Sequence, residues 1–144
     1  MTETSTTQKI FRLLLGLNLV FAGVSHLTFM RAEFQAQVPD WVPMTKDLVV
    51  VLSGIVEILL GSAIIFIKKY RSSVGWIAAL FFILVFPGNI HQYTDRISAF
   101  GLDTDNKRLI RLFFQPLLVV WALWSTGAWA KWQQHRKSQA TIAR

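Results

Sequence analysis

Apolar residues fall in four long blocks, at 10–30, 48–67, 74–90 and 109–129, with polar joins between them. Each block has roughly 17–22 residues, and an α-helix of ~20 residues crosses a ~30 Å hydrocarbon layer. Strict alternation over about ten residues, the mark of a barrel strand, is absent. A backbone in lipid must satisfy its own hydrogen bonds, so the blocks are read as helices. The pattern predicts an all-α, integral membrane four-helix bundle forming a single transmembrane domain over residues 1–144. The first block is expected to be a retained span: residues 1–8 lack an early positive charge, the run is too long and no A-x-A site closes it. Residues 2–7, rich in Ser and Thr, are expected to fray.

The joins differ. The second, about six residues around Lys68, Lys69 and Arg71, makes the second and third spans antiparallel neighbours. The first, 31–47, is amphipathic: Phe34, Val38, Pro39, Trp41, Val42 and Pro43 stand among polar residues. Trp41 between two prolines predicts a stiff segment at the membrane interface. The third, 92–108, reads as a polar loop with room for a short helix, and 131–144 as a solvated basic tail.

Charge fixes an orientation. The 15 Lys and Arg give a net +7 against 8 acids. With four spans, Lys9, Arg12, Lys68, Lys69, Arg71, Lys131, Arg136, Lys137 and Arg144 fall on one side. Arg31, Lys46, Arg96, Lys107, Arg108 and Arg111 fall on the other. This bias predicts both termini in the cytoplasm. The basic residues stand at block ends without a run of five, so nucleic acid is excluded as a partner. Composition agrees: 53% of residues are hydrophobic and 16% charged, against roughly 25% charged in soluble domains. The absence of Cys excludes thiol catalysis, Cys-ligated iron–sulfur clusters and structural Cys–zinc sites.

Polar residues inside the spans are costly and mark candidate sites. They are Asn18, Ser25, His26, Glu57, Asn89, His91, Arg111 and Gln115. The alternating direction of the spans puts most of them in the outer half, with Glu57 ~15 Å below Asp47 near the midplane. Gly54, Glu57 and Gly61 share one stripe, where the glycines admit a neighbouring helix beside the carboxylate. Arg111 and Gln115 share a face; Gly75, Ala79, Phe82, Phe86 and Asn89 share another. His91 points away from Asn89 unless Pro87-Gly88 breaks the helix. The expectation is one polar pocket formed by His26, Glu57, Asn89, Arg111 and Gln115. Each residue also has a plainer reading: helix locking for Glu57, snorkelling for Arg111, a satisfied interior ring for His26, and capping of carbonyls freed by proline for Asn89 and Gln115.

The ordered motif set resembles the DoxX-like family of small four-helix bacterial membrane proteins. Its pieces are Ala22-Gly23-Val24-Ser25-His26-Leu27, then Val38-Pro39 with Pro43, then Ser53-Gly54-Ile55-Val56-Glu57-Ile58-Leu59-Leu60-Gly61. Phe86-Pro87-Gly88-Asn89-Ile90 follows, and Arg111-Leu112-Phe113-Phe114-Gln115-Pro116-Leu117 with Trp121 completes the set. Gly88 stands where the pattern commonly has Ala, and the absence of Cys departs from thiol-handling relatives. The resemblance implies a bacterial cytoplasmic (inner) membrane protein related to a subunit of quinone-linked complexes. The wider group is similar to sterol isomerases. His26, Glu57, Asn89, Arg111 and Gln115 carry over as site candidates without assigned chemistry.

Three functions compete. In the first, the protein is an accessory subunit whose pocket binds a quinone- or lipid-like amphiphile. Its tail would lie among Phe82, Phe86, Phe113, Phe114, Trp121 and Trp124, and its partners would be redox-complex subunits or a second copy. In the second, Glu57 and His26 are the acid–base pair of a membrane isomerase or quinone oxidoreductase. The third is a purely structural subunit. Haem between His26 and His91, or a metal on His26, Glu57 and His91, requires His91 to share the pocket, so no metal is assigned.

Overall fold

The computed structural model describes residues 3–142, and among them all regular structure is helical. Six helices follow in order: α1 (Thr6–Leu27), α2 (Arg31–Gln37), α3 (Lys46–Phe66), α4 (Arg71–Thr94), α5 (Asp105–Ser125) and α6 (Ala128–Ile142). Four of them, α1, α3, α4 and α5, are long and apolar enough to cross a membrane by length and composition. This is the helical content of a multi-pass membrane protein.

Local chemistry explains the helix ends. Ser5 caps α1: its hydroxyl accepts from Gln8 N–H while the Gln8 side chain accepts from Ser5 N–H. Such a reciprocal box satisfies two donors that a helix N-terminus leaves open. Gln8 Nε2 also donates to the Trp124 carbonyl at 2.8 Å. Residues 5–7, expected to fray, instead cap and begin α1; Thr2 lies outside the described residues. Thr45 and Thr104 cap α3 and α5 with the hydroxyl alone, accepting from Leu48 N–H and Lys107 N–H, and Asp47 and Asp105 lie in the first turns, where a negative charge suits the helix dipole. The fourth block ends early. Gly127, at φ 73°, turns the chain after Ser125, and the basic tail expected there is helical over Ala128–Ile142 and exposed from Trp129 on. Arg144, counted in the charge bias, lies outside the described residues.

Helix α1 packs chiefly on α3, and α4 on α5. Glycines bring α1 and α3 together. Gly16 faces Gly61, and Gly23 faces Gly54, each across the partner's backbone carbonyl. Lipid offers no hydrophobic reason for two apolar helices to pair, so close backbone approach at small residues does the work. Helix α3 thus takes α1 as its main partner in preference to α4, its neighbour across the short turn. The apolar core lies towards the end of the bundle carrying the termini, built from Leu15, Leu19, Leu60, Ile64, Val74, Ala78, Phe82 and Ala122. Leu13, Leu17, Phe21, Leu59, Leu84, Phe113 and Val120 face outward, as a lipid-facing surface requires.

The first join holds the short helix expected of the third. Arg31 grips Asp47 with two hydrogen bonds of 2.7 Å, and Gln35 adds another at 2.6 Å. Glu33 accepts from the N–H of Phe100, a residue held at φ 58°. The Gln37 carbonyl lies 3.1 Å from His91 Nδ1. These tethers to α3, to the 95–104 loop and to α4 lay α2 across one end of the bundle, and 95–104 itself forms no helix.

Candidate functional site

Beneath α2 the gap between the α1–α3 pair and the α4–α5 pair opens into a cavity of about 490 Å³. Asn18 and His26 of α1, Glu57 of α3, Asn89 of α4, and Arg111 and Gln115 of α5 all line it. Leu15, Leu19, Phe81, Phe82 and Leu118 line its deeper part, nearer the core. The distance along α1 from His26 to Leu15 is ~16 Å at 1.5 Å per residue. The space is therefore polar towards α2 and greasy towards the core.

Two polar systems occupy the polar end. The first joins α1 to α3. His26 Nδ1 lies 2.6 Å from Glu57 Oε2 and 3.0 Å from the carbonyl of Ala22. A carbonyl only accepts, so Ala22 can be bonded only in the tautomer that carries its hydrogen on Nδ1. That hydrogen is then directed at Ala22, and Oε2 remains buried without a directed hydrogen bond despite the short approach. Buried polar atoms in this condition are rare enough to call for an explanation. His26 Nε2 has no protein partner among the described residues. The ring stacks on Phe34, centroids 3.4 Å apart. Gly54 makes this position available, because a Cβ there would lie 2.8 Å from the His26 Cβ.

The second system is a line of amides with Arg111 at its centre. Arg111 Nε donates to Asn89 Oδ1 at 3.2 Å, and one terminal nitrogen donates to Gln37 Oε1 at 3.3 Å. A guanidinium has no acceptor, so both amides turn their oxygens towards it and their NH2 groups away. Asn89 then donates to Gln115 Oε1 at 2.8 Å, and Gln115 to the Phe82 carbonyl at 2.6 Å. On the other arm Gln37 donates to Gln92 Oε1, and Gln92 to the carbonyls of Ile97 and Ala99. Among the described residues no carboxylate forms an ion pair with Arg111. Its cationic face is covered by the Phe100 ring at 4.5 Å, and Phe100 meets Phe34 edge-on at 4.6 Å. His26, Phe34, Phe100 and Arg111 thus form one column that bridges the two systems.

The structure brings His26, Glu57, Asn89, Arg111 and Gln115 to one space. It does not bring Ser25 or His91. Ser25 donates to the Phe21 carbonyl of its own helix. Helix α4 continues through Pro87 to Thr94, so His91 keeps its regular phase, with Gln37 and Asp95 at its nitrogens. That placement removes the haem on His26 and His91 and the metal on His26, Glu57 and His91. The aromatic tail site also needs correction. Phe86 and Phe113 do not line the cavity, and Phe114, Trp121 and Trp124 form a separate outer groove with Phe11. Of the six aromatics expected there, Phe82 alone belongs to the cavity, joined by Phe81.

Sequence reasoning missed Gln37 and Gln92, buried amides that complete the Arg111 network. It also missed Phe34 as a wall of the cavity and Phe100 as the ring over Arg111. The signal for Gln37 was present: it stands three residues after Phe34 and directly before Val38-Pro39, on the inner face of a single helical turn. Trp41, largely exposed, stands at the mouth. Beside it Asp40 pairs with Lys46 at 2.7 Å, a contact that holds the Asp40 carboxyl below the usual carboxylate range.

Residues 15–126 match the profile of the family described as a domain of unknown function (DUF8561), and the chain belongs to that family. No curated protein and no solved structure matches it.

Proposed function

We propose that this chain is an accessory membrane protein that holds an amphipathic small molecule of the quinone or lipid class. It would lie in a bacterial inner membrane with both termini in the cytoplasm, as a subunit of a redox complex or as a homo-oligomer. One observation carries the reading: a single cavity has hydrogen-bonding groups from α1, α2, α3, α4 and α5 at one end and an apolar floor at the other. Concave sites with few polar groups and a mostly apolar lining are the usual form of small-molecule pockets. Arg111, Asn89 and Gln115 supply donors for an oxygen-bearing head, and the resemblance to the DoxX-like proteins favours a quinone. The basic bias at the termini supports the orientation.

Mass spectrometry of small molecules released from gently purified protein tests this reading. A stoichiometric prenylated or acylated molecule is the expected result. A consistently empty protein that binds no added amphiphile would leave the structural-subunit role.

The 2.6 Å approach of His26 Nδ1 to Glu57 Oε2 favours a second reading, an isomerase or quinone oxidoreductase using this pair for proton transfer. Turnover of an added isoprenoid or quinol that disappears in both His26→Ala and Glu57→Gln, with the protein still folded, would establish it. Preserved turnover in either variant would remove the pair from the chemistry.

A further inference from the structure

The charges at the polar end of the cavity do not balance locally. Glu57 has His26 beside it at 2.6 Å. Among the described residues Arg111 has amide oxygens and an aromatic ring as partners. Two of its five N–H groups are engaged, and the other terminal nitrogen has no partner among the described residues although Arg111 lines the cavity. Cations out of water are ordinarily paired. Among the described residues no carboxylate supplies that pairing group, which leaves room for one brought by a ligand.

We infer that the bound amphiphile is a single-chain acid whose anionic oxygens sit on Arg111, a long-chain carboxylate being the simplest case. This rests on the proposed amphiphile-binding function and narrows it to the lipid class, setting the quinone aside. A guanidinium presents a planar fork that fits a carboxylate with two parallel hydrogen bonds, a match no neutral carbonyl provides. The anion belongs at Arg111, the cationic side chain on the cavity wall with donors left over. Asn89 and Gln37 are pinned with their oxygens towards Arg111, so they orient the fork and leave its remaining donors to the ligand. The tail then runs between Phe81, Phe82 and Leu118 towards Leu15 and Leu19. A volume of about 490 Å³ lies in the lower half of the ~300–1,000 Å³ range of small-molecule pockets. That volume suits one aliphatic chain better than the two chains of a glycerophospholipid.

Palmitate, methyl palmitate, a short-tailed benzoquinone and phosphatidylglycerol are to be titrated into the full chain in neutral phosphatidylcholine nanodiscs, read by Trp fluorescence. Palmitate is expected to saturate a single site, with the ester at least ~10-fold weaker. Arg111→Gln should erase the preference for the acid, and Arg111→Lys should keep part of it. The acid–ester comparison is made on the unaltered protein, so it stands even where a variant does not fold. Equal affinity for ester, quinone and acid would overturn the anionic head while leaving the amphiphile-binding function intact. Saturation by phosphatidylglycerol and not by palmitate would overturn the single-chain assignment. Binding of none of them would overturn both.

Discussion

A Cβ atom on Gly23 would lie 2.5 Å from the carbonyl oxygen of Gly54, so α1 and α3 meet backbone to backbone one turn from His26 and Glu57. Gly23→Ala must therefore push the helices apart. Forced overpacking costs ~1–3 kcal/mol, and the loss should appear as a lower Tm in detergent. Gly88→Ala is the contrast. Its Cβ would meet the Gln37 carbonyl at 3.5 Å, an ordinary contact, and Ala suits a helix interior better by ~0.5–1 kcal/mol. Equal destabilisation by the two substitutions would contradict the backbone contact.

Gln37→Leu should loosen the covering helix α2. It deprives part-buried Arg111 of one acceptor and buried Gln92 Oε1 of its donor. Leaving such groups unsatisfied costs ~1–3 kcal/mol. The variant is expected to unfold at lower temperature and to be cleaved faster by protease within residues 28–45. Unchanged cleavage and Tm would show that the amide line does not hold α2.

The Asp103 carboxyl is held below the usual carboxylate range, first by its hydrogen bond from Lys107 and next by a backbone N–H. Its folded pKa is thus lower than the unfolded ~3.9. The stabilisation is present above the unfolded value and lost as pH falls through the folded one. Because the pair is exposed, the effect is local and salt-sensitive. Carboxyl NMR titration should give a low midpoint that Lys107→Gln moves back up. A wild-type midpoint at or above that of free Asp would refute the assignment.

The chain has no Cys, so orientation is directly testable. Met44→Cys and Ser138→Cys place single thiols at exposed positions near opposite ends of the bundle. An impermeant maleimide added to intact cells should label position 44 and spare position 138. The reverse pattern would invert the topology.

Helical periodicity made the polar wall readable: Gly54, Glu57 and Gly61 lie on one face because 3.6 residues make a turn, and the contact with α1 follows from the missing side chains. Asn89 and Gln115 were readable for the same reason. Phe113, Phe114, Trp121 and Trp124 were not assignable from sequence. In a membrane the outer surface is as apolar as the interior, so aromatic content does not distinguish inside from outside. Gln37 and Gln92 were missed because their burial depends on α2 folding over the bundle, a tertiary event held by Arg31, Glu33 and His91. Helix α6 escaped notice because its polar residues surround the whole axis, while the Ser5–Gln8 box was legible and was overlooked among the Thr residues around it.

The amide line has a consequence for electrical conduction. From the Ile97 carbonyl through Gln92, Gln37, Arg111, Asn89 and Gln115 to the Phe82 carbonyl, each group has a fixed polarity and none exchanges its proton readily at neutral pH. The line insulates.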